Sequence, residues 1–182
     1  VGLIKDYNKM ITMDLKEIDN LLLVIGKTEG HIDQSLFART ILDEKNGPPP
    51  EVNLFNEKNN GESLLDLIDK NYIKSAHDIS LGGLIIALSK MCIKGNKGIK
   101  LNKSKNLINE IEYFFAEDQG RYLIEINPKD FDKVTDILNK NSVHYDKLGK
   151  IIDKHMIINQ KTKVTIDELK SYNTNWLNKY MS

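Results

Sequence analysis

The chain has 182 residues, of which 40% are hydrophobic and 29% are charged, a composition typical of a folded globular protein. Its 26 basic and 26 acidic side chains cancel, so we expect neither nucleic acid nor an anionic membrane as a partner. No apolar run is long enough to span a membrane, and the length favours a single domain over residues 1–182.

The N-terminal third contains a strand pattern and two helix patterns. Loose alternation over residues 1–18 predicts extended segments, and the apolar run Leu21–Ile25 predicts a central strand covered on both faces. Helical spacing predicts helices at residues 32–42 and 53–70. Three prolines at 48–50 predict an extended surface link between them.

Residues 75–94 combine a polar start with an apolar body. Residues 75–80 predict a short polar turn, and the residues after Gly82 and Gly83 have the spacing of an amphipathic helix. The apolar stripe of this helix consists of Leu84, Ile85, Leu88, Met91 and Cys92.

The second half alternates strand and helix patterns around an aromatic-rich patch at residues 111–115. The predicted strands are residues 99–101, 122–126, 145–152, 155–158 and 164–166. The predicted helices are residues 130–138 and 167–180. This alternation favours an α/β or α+β fold in which helices pack on a mixed sheet.

The start of the predicted helix after Gly82 and Gly83 is a candidate anion site. A helix start presents free backbone N–H groups, and glycines leave room for a ligand to approach them. The alternative is a tight turn in which Asp78 or Ser80 caps the helix, and in which His77 pairs with a nearby carboxylate. Residue types alone favour the turn.

A second polar cluster lies between the aromatic patch and the strand at 122–126. It contains Glu117, Asp118, Gln119 and Arg121, which could orient a polar ligand. The alternative is an ion pair between Arg121 and a carboxylate within the chain. Because lysine supplies 24 of the 26 basic residues, we expect Arg39 and Arg121 at places that need a planar, forked donor.

The remaining histidines and the cysteine do not predict a metal site. His31, His144 and His155 lack the spacing of metal ligands, and Cys92 is the only cysteine, which also excludes an internal disulfide. A single cysteine suits a reducing compartment, so we expect a cytoplasmic protein. Because the sequence begins at Val1, with no initiating methionine and no leader pattern in the residues that follow, we expect a piece of a longer protein. Nucleotide-binding loops and nucleophile elbows are absent, so these residues alone name no reaction.

Several segments, in the same order, resemble the phosphoribosylformylglycinamidine synthases of purine biosynthesis. Residues 74–88, KSAHDISLGGLIIAL, resemble the family signature S-A-H-D-[VI]-S-[DE]-G-G-L-x-x-A-L, and residues 115–122, FAEDQGRY, resemble F-x-E-[DS]-Q-x-R-[YF]. Residues 49–53 are similar to the family's P-x-V-D linker, and residues 28–30 follow the first strand as the family's loop does. Leu81 departs from the signature, which has an acid there, and this loss of charge disfavours a metal or polar ligand at the turn.

The resemblance covers nearly the whole chain and implies the last of four domains of such a synthetase. It implies a three-layer α/β/α unit with a mixed sheet, the C-terminal-domain type of the aminoimidazole ribonucleotide synthetase superfamily. The implied reaction is ATP-dependent amidation: ATP phosphorylates the formamide oxygen of formylglycinamide ribonucleotide, and ammonia from a glutaminase subunit displaces phosphate. ATP and Mg²⁺ would be held mainly by upstream domains, so no catalytic residue is expected here and the isolated domain is expected to be inactive.

In the family this domain faces a second, degenerate site, so its polar residues are either structural or bind an auxiliary nucleotide. The ligand-binding candidates are His77, Asp78, Ser80, Gly82, Gly83, Glu117, Gln119 and Arg121. We expect His77 and Asp78 to hydrogen-bond within the domain and to hold the start of the helix after Gly83. Two alternatives remain: a non-catalytic scaffold that completes the pseudo-dimer and docks a glutaminase, and the same domain of a sister enzyme such as aminoimidazole ribonucleotide synthetase or selenophosphate synthetase.

Overall fold

The computed structural model of the chain describes residues 3–4, 6–102 and 109–182. In these residues the strands are β1 (Leu21–Ile25), β2 (Ile73–Asp78), β3 (Gly98–Leu101), β4 (Tyr122–Ile126), β5 (Tyr145–Ile152), β6 (His155–Ile158) and β7 (Thr162–Thr165). The α-helices are α1 (Leu54–Asp69), α2 (Gly83–Gly95), α3 (Glu110–Phe115), α4 (Phe131–Lys140) and α5 (Ile166–Met181). None of these helices is long and apolar enough to cross a lipid bilayer.

The strands form one mixed sheet with the order β2-β4-β1-β5-β3-β6-β7. Neighbouring strands are antiparallel except β3 and β6, which are parallel. Strand β1 pairs with β4 on one side and with β5 on the other, and Leu22 to Ile25 are fully buried. The prediction of a central strand covered on both faces is therefore confirmed.

Helices cover both faces of the sheet. Leu22 and Val24 of β1 point into a core that α2, α3 and the first turn of α5 complete. Leu23 and Ile25 point into a second core, on the opposite face, that α1 and α4 complete. This alternation within one strand builds three layers, so the predicted three-layer α/β/α fold with a mixed sheet is confirmed.

Helix α2 packs its predicted apolar stripe into the first core. Leu84, Leu88, Met91 and Cys92 are fully buried, and Ile85 is partly buried against the same core. Burying a side chain of this size contributes on the order of 1.5–3 kcal/mol, so this one face is a large part of what holds α2 on the sheet.

A buried carboxylate on β4 fixes the segment that precedes β1. Glu125 is fully buried and accepts hydrogen bonds from the backbone N–H groups of Lys16 (2.8 Å) and Glu17 (3.0 Å). It also accepts from Asn20 Nδ2 (2.7 Å) and Ser75 Oγ (2.8 Å). A buried charge is tolerated only when its acceptor sites are filled, and here the chain before β1 and a side chain of β2 fill them.

Two sequence-based predictions about local structure are wrong. Residues 32–42 do not form one helix, because only a short segment ending in the π-helical turn Ala38–Leu42 is helical. Long-range contacts hold the preceding backbone: Glu117 N–H donates to His31 O (3.1 Å), and Leu36 N–H donates to the Glu117 carboxylate (2.7 Å). Residues 75–80 are not a polar turn throughout, because 75–78 belong to the edge strand β2, where polar side chains can reach solvent or Glu125.

The other helices and strands predicted from residue 21 onward agree with the structure to within a few residues. The patch at 111–115 lies on α3, and the proline link at 48–50 has no regular structure. Within the described part of residues 1–18, a 3₁₀ turn forms at Tyr7–Lys9 and no regular strand forms.

The position of Cys92 predicts an unreactive thiol. Burial raises the pKa of Cys92 to about 12, so only roughly one molecule in ten thousand carries the reactive thiolate at pH 8. We expect a thiol-reactive chromogenic reagent to leave the native protein unmodified at pH 8 and to titrate one thiol per chain in guanidinium chloride. Free cysteine at the same pH is the control, and rapid modification of the native chain would contradict this core packing.

Candidate functional site

The two signature segments meet at one end of the sheet in what we call the loop cluster. It consists of the loop after β1 (residues 26–36), the loop before β4 (116–121), and the turn that leads into α2 together with the first residue of that helix (79–83). The loops are far apart in sequence, and side chains of the loop before β4 join them. The structure thus brings both predicted polar clusters to the same place.

The side chain of Asp118 binds backbone N–H groups of the loop after β1. Its carboxylate accepts hydrogen bonds from three consecutive N–H groups, those of Glu29 (2.9 Å), Gly30 (3.1 Å) and His31 (3.1 Å). Asp118 is buried, with 6% of its surface exposed. Three convergent N–H groups are the kind of concave donor set that binds anions in other proteins, and here a carboxylate of the same chain fills it.

Arg121 crosses the loop cluster as a forked donor. Its Nε donates to Asp118 O (3.2 Å), Nη1 to Thr28 Oγ1 (3.0 Å) and Nη2 to Ala116 O (2.6 Å). Burial lowers the pKa of the guanidinium, and the nearby charge of Asp118 partly opposes this effect. Nη2 also lies 4.0 Å from Asp118 Oδ2, so the expected ion pair with a carboxylate forms at long range, while the shorter contacts of Arg121 are hydrogen bonds to two backbone oxygens and the Thr28 hydroxyl.

The two arginines therefore differ. Arg121 is 1% exposed and uses all sides of its planar fork, as its rarity in the sequence predicted. Arg39 is exposed, and its recorded hydrogen bond is a long one, from Nε to Ser35 O (3.4 Å). The same expectation is therefore wrong for Arg39.

Glu117 closes the start of α2. Its Oε1 accepts hydrogen bonds from Gly82 N–H (2.8 Å) and Leu36 N–H (2.7 Å), and Gly83 N–H donates to Ser80 O (2.9 Å). A carboxylate at this position also interacts favourably with the positive end of the helix dipole. The N–H groups of both glycines, which the sequence offered to an anionic ligand, thus have partners within the chain.

The two glycines are required by backbone conformation and packing. Gly82 has φ 83° and Gly83 has φ 68°, in the left-handed region that favours glycine. A Cβ on Gly83 would lie 2.6 Å from Ala116 O, so the loop before β4 could not approach α2 as it does. Gly82 is the N-cap residue and no side chain caps the helix, so the prediction that Asp78 or Ser80 does so is wrong.

His77 and Asp78 lie at the end of edge strand β2. His77 Nδ1 is 2.9 Å from Asp78 Oδ1, so the expected hydrogen bond within the domain is confirmed. Glu117, rather than His77 or Asp78, binds the N–H group at the start of α2. Burial raises the pKa of Asp78, but hydrogen bonding and charge from His77, with smaller polar contributions, bring it below its usual value. His77 Nε2 is buried and has no partner among the described residues, which suits the tautomer in which Nδ1 carries the proton. Ser80 is exposed on the turn that follows.

Gln119 is the one member of its cluster that points away from the loop contacts. It is exposed and lines a polar cleft of about 190 Å³ at the start of α1. The other lining residues are Lys27, Glu29, Glu51, Asn53, Asn56, Glu57 and Gly120. Since amide, cationic and anionic side chains line the cleft, it could hold a small polar ligand. Glu117 and Arg121, in contrast, hydrogen-bond to backbone groups of the loop cluster.

The described residues do not assemble a metal centre. Across residues 3–4, 6–102 and 109–182, no group of three or more His, Cys, Asp or Glu side chains is arranged to hold a metal ion. Two of the carboxylates of the loop cluster, those of Asp118 and Glu117, face backbone N–H donors of the same chain instead.

Sequence reasoning located the loop cluster but missed the residues that hold it together. Asp118 was part of a predicted cluster without an assigned partner, and Thr28 and Asn60 were not predicted. Asn60 is buried on α1 and its Nδ2 donates to Gly120 O (2.9 Å). The one available signal was that Asp118 lies three residues before a rare arginine. The N–H groups that Asp118 binds lie about 90 residues earlier, so no local sequence pattern reveals the contact.

The three N–H contacts of Asp118 predict a large loss of stability for Asp118→Asn. The amide places an NH₂ group against N–H donors and removes the charge, and each hydrogen bond to a charged group contributes about 1.5–3 kcal/mol. We expect a loss of about 3 kcal/mol, or roughly 6–12 °C in Tm for a domain of this size, measured by calorimetry. Asp136→Asn, the same change on the exposed surface of α4, is the control and should leave Tm unchanged. Equal Tm values for the two variants would contradict this role of Asp118.

Known proteins resemble the chain in sequence and in fold. The phosphoribosylformylglycinamidine synthase subunit PurL of Pelagibacter ubique is 68% identical over 181 residues, which is the whole of this chain and 25% of that protein. The chain thus spans about a quarter of the length of the curated relatives it matches. The resemblance to phosphoribosylformylglycinamidine synthases seen in the sequence is confirmed.

Solved structures from Thermotoga maritima share the fold at low sequence identity. PurL complexed with FGAR has a TM-score of 0.73 at 18% identity, over 89% of this chain and 29% of its own. PurL complexed with ATP has a TM-score of 0.68 at 16% identity, over 89% of this chain and 27% of its own. PurLQS has a TM-score of 0.67 at 19% identity, over 89% of this chain and 28% of its own. The family model for "AIR synthase related protein, C-terminal domain" matches residues 17–160, which include β1 to β6 and the whole loop cluster. The chain therefore belongs to the family of AIR synthase related protein C-terminal domains.

Proposed function

We propose that residues 1–182 form the last domain of a phosphoribosylformylglycinamidine synthase. The observation that carries this proposal is 68% identity, along the whole chain, to a quarter of the Pelagibacter ubique PurL subunit. The loop cluster adds to it, because both signature segments of the sequence meet there. The fold alone would not distinguish this enzyme from a sister synthetase of similar architecture.

In this proposal the complete protein is an ATP-dependent ligase of the cytoplasm. It joins ammonia, delivered by a glutaminase subunit, to formylglycinamide ribonucleotide and releases formylglycinamidine ribonucleotide, ADP and phosphate. The Thermotoga maritima PurL complexes with ATP and FGAR, and the PurLQS structure, support a nucleotide, a ribonucleotide and partner subunits. Upstream domains would hold ATP and Mg²⁺, whose charge would offset that of the transferring phosphoryl group.

This domain would act chiefly as a scaffold within that enzyme. Glu117, Asp118 and Arg121 bind backbone groups of the loop cluster, and the glycine N–H groups at the start of α2 are occupied. We therefore assign Glu117, Arg121, Gly82 and Gly83 to holding the loops rather than to binding a ligand. This assignment favours the scaffold alternative for the domain while leaving the activity of the whole enzyme as proposed.

The ligand-facing candidates that remain lie at the rim of the loop cluster. Gln119 lines the polar cleft, and its side chain makes no hydrogen bond within the described part of the chain. Asp78 and Ser80 are exposed beside edge strand β2, and His77 is positioned by Asp78. These residues would meet a ligand or an upstream domain when the enzyme is assembled.

A chimeric enzyme tests the proposed function. In it, this chain replaces the matching quarter of Pelagibacter ubique PurL, and conversion of formylglycinamide ribonucleotide with ATP and ammonia is measured. Because most core and loop contacts are expected to be kept at this identity, kcat/KM should stay within about tenfold of the parent, or ~1.4 kcal/mol of barrier.

The controls separate the domain from the whole enzyme. The parent without its last quarter, and this chain alone, should both be inactive. A chimera that unfolds cooperatively at the parental Tm but is no more active than the shortened parent would refute the proposed function. Turnover by the chain alone would refute its dependence on upstream domains.

Gln119→Ala in the chimera tests the polar cleft. If Gln119 bonds a ligand, KM for ATP or for the ribonucleotide should rise about three- to tenfold, the effect of one lost hydrogen bond, with Tm unchanged. Gln34→Ala is the matched control: the Gln34 amide donates to Lys45 O (2.8 Å) and Gly47 O (3.1 Å), so its loss should lower Tm and leave KM unchanged. Unchanged KM values in Gln119→Ala would remove this residue from the binding candidates.

A further inference from the structure

The dipeptide Asn-Gly occurs twice in the chain, in opposite surroundings. Asn46 and Gly47 are exposed in the link segment, residues 43–53, which precedes α1 and has no regular structure. Asn60 is buried, with 6% of its surface exposed, and lies with Gly61 inside α1. The chain therefore holds the same dipeptide once in an open segment and once in a packed helix.

Asn-Gly is reactive because its backbone and side chain can close a five-membered ring. The glycine nitrogen, after losing its proton to hydroxide, attacks Cγ of the asparagine. A new C–N bond forms, the bond from Cγ to the amide nitrogen breaks, and that nitrogen takes a proton from water and leaves as ammonia. Water then opens the succinimide at either carbonyl, which gives aspartate or isoaspartate. Glycine favours this step, because it has no Cβ to hinder the attack and the widest choice of φ and ψ.

The structure leaves the attacking nitrogen of Gly47 available. Within the described part of the chain, neither Gly47 N–H nor the Asn46 side chain has a hydrogen-bond partner. Gly47 has φ 96°, and a Cβ on it would collide with the Asp33 carboxylate, so the position requires glycine. A bulkier residue, which would slow the attack on Asn46, does not fit the link segment.

Asn60 is held in an unreactive arrangement. Its Nδ2 donates to Gly120 O (2.9 Å), and the N–H of Gly61 takes part in the i→i−4 hydrogen bonds of α1. The ring can form only after this part of the helix opens, and local opening of a packed helix costs free energy. Asn60 is therefore an internal reference for the reactivity of Asn46.

We propose that Asn46 is a site of spontaneous deamidation and isomerisation, with Gly47 as the attacking residue. The site lies against the loop cluster, because the Gln34 amide donates to the carbonyl oxygens of the residues before and after Asn46, Lys45 O (2.8 Å) and Gly47 O (3.1 Å). Isoaspartate has one more main-chain carbon between these two carbonyls, so their spacing no longer matches one amide group. The reaction thus frees the link segment from the loop cluster and adds a negative charge.

Peptide mapping of the 182-residue chain tests the proposal. The native chain is incubated at pH 8 and digested with trypsin, which cuts after Lys58 and so places the two dipeptides in different peptides. Mass spectrometry detects the replacement of NH₂ by OH, and fragment ions assign it to a residue. Asn46 should react at least about tenfold faster than Asn60, because only Asn60 requires opening of a helix, and it should give separate aspartate and isoaspartate peaks.

Unfolding and substitution supply the controls. In guanidinium chloride the two dipeptides lose their different surroundings, so their rates should agree to within about threefold. Asn46→Gln adds a methylene that disfavours ring closure, and it should abolish the change at this position while leaving Asn60 as before. Equal rates at the two sites of the native chain would overturn the proposal. So would a native rate at Asn46 more than about tenfold below its rate in denaturant, because the link segment would then be held closed.

Melting temperatures test the effect on the Gln34 contacts. Gln34→Ala should lower Tm by about 2–4 °C, and full modification of Asn46 should have a similar effect, since both remove the same hydrogen bonds. The two losses should not add when they are combined. Asn46→Asp is the matched control: it adds the charge without the extra carbon and should leave Tm unchanged. Fully additive losses would contradict release of the link segment through Gln34.

Discussion

The loop cluster depends on one carboxylate that binds backbone rather than side chains. Asp118 gathers three consecutive N–H groups of the loop after β1, and this fixes where that loop ends and where Thr28 meets Arg121. Glu117, its neighbour, repeats the device at the start of α2. Both of these carboxylates therefore bind groups of the same chain rather than a ligand. The charges that the cluster leaves exposed to its surroundings are those of the polar cleft, such as Lys27 and Glu29.

Local patterns predicted most of the fold because its elements satisfy local rules. The apolar run of β1 and the stripe of α2 are read directly from the sequence, since each follows the period of the element it forms. The prediction failed at residues 32–42 and 75–80, where distant partners decide the conformation. Residues 32–42 have helical spacing, but contacts with Glu117 hold part of their backbone in another conformation. Residues 75–78 are polar and still form a strand, because β2 lies at the edge of the sheet.

The candidate site was predictable in location but not in function. Family resemblance singled out the segments that form the loop cluster, and glycines at a helix start suggested a cradle for an anion. Whether such a cradle is open depends on a side chain from elsewhere in the chain, and here Glu117 reaches it across 35 residues. No local pattern records that contact. The same reason explains why Gln119, chemically similar to its neighbours, is the member left facing solvent.

The central position of β1 has a consequence for how the protein is made. Leu21 pairs with Ile126 and with Lys150, so neither neighbour of the first strand exists until most of the chain has been synthesised. Contacts this distant in sequence slow folding, because a long loop must close before they form. Until then, the five apolar residues Leu21–Ile25 are an unpaired, aggregation-prone segment on a nascent polypeptide. The strand gains its partners, and its protection from other chains, only once β4 and β5 have been made.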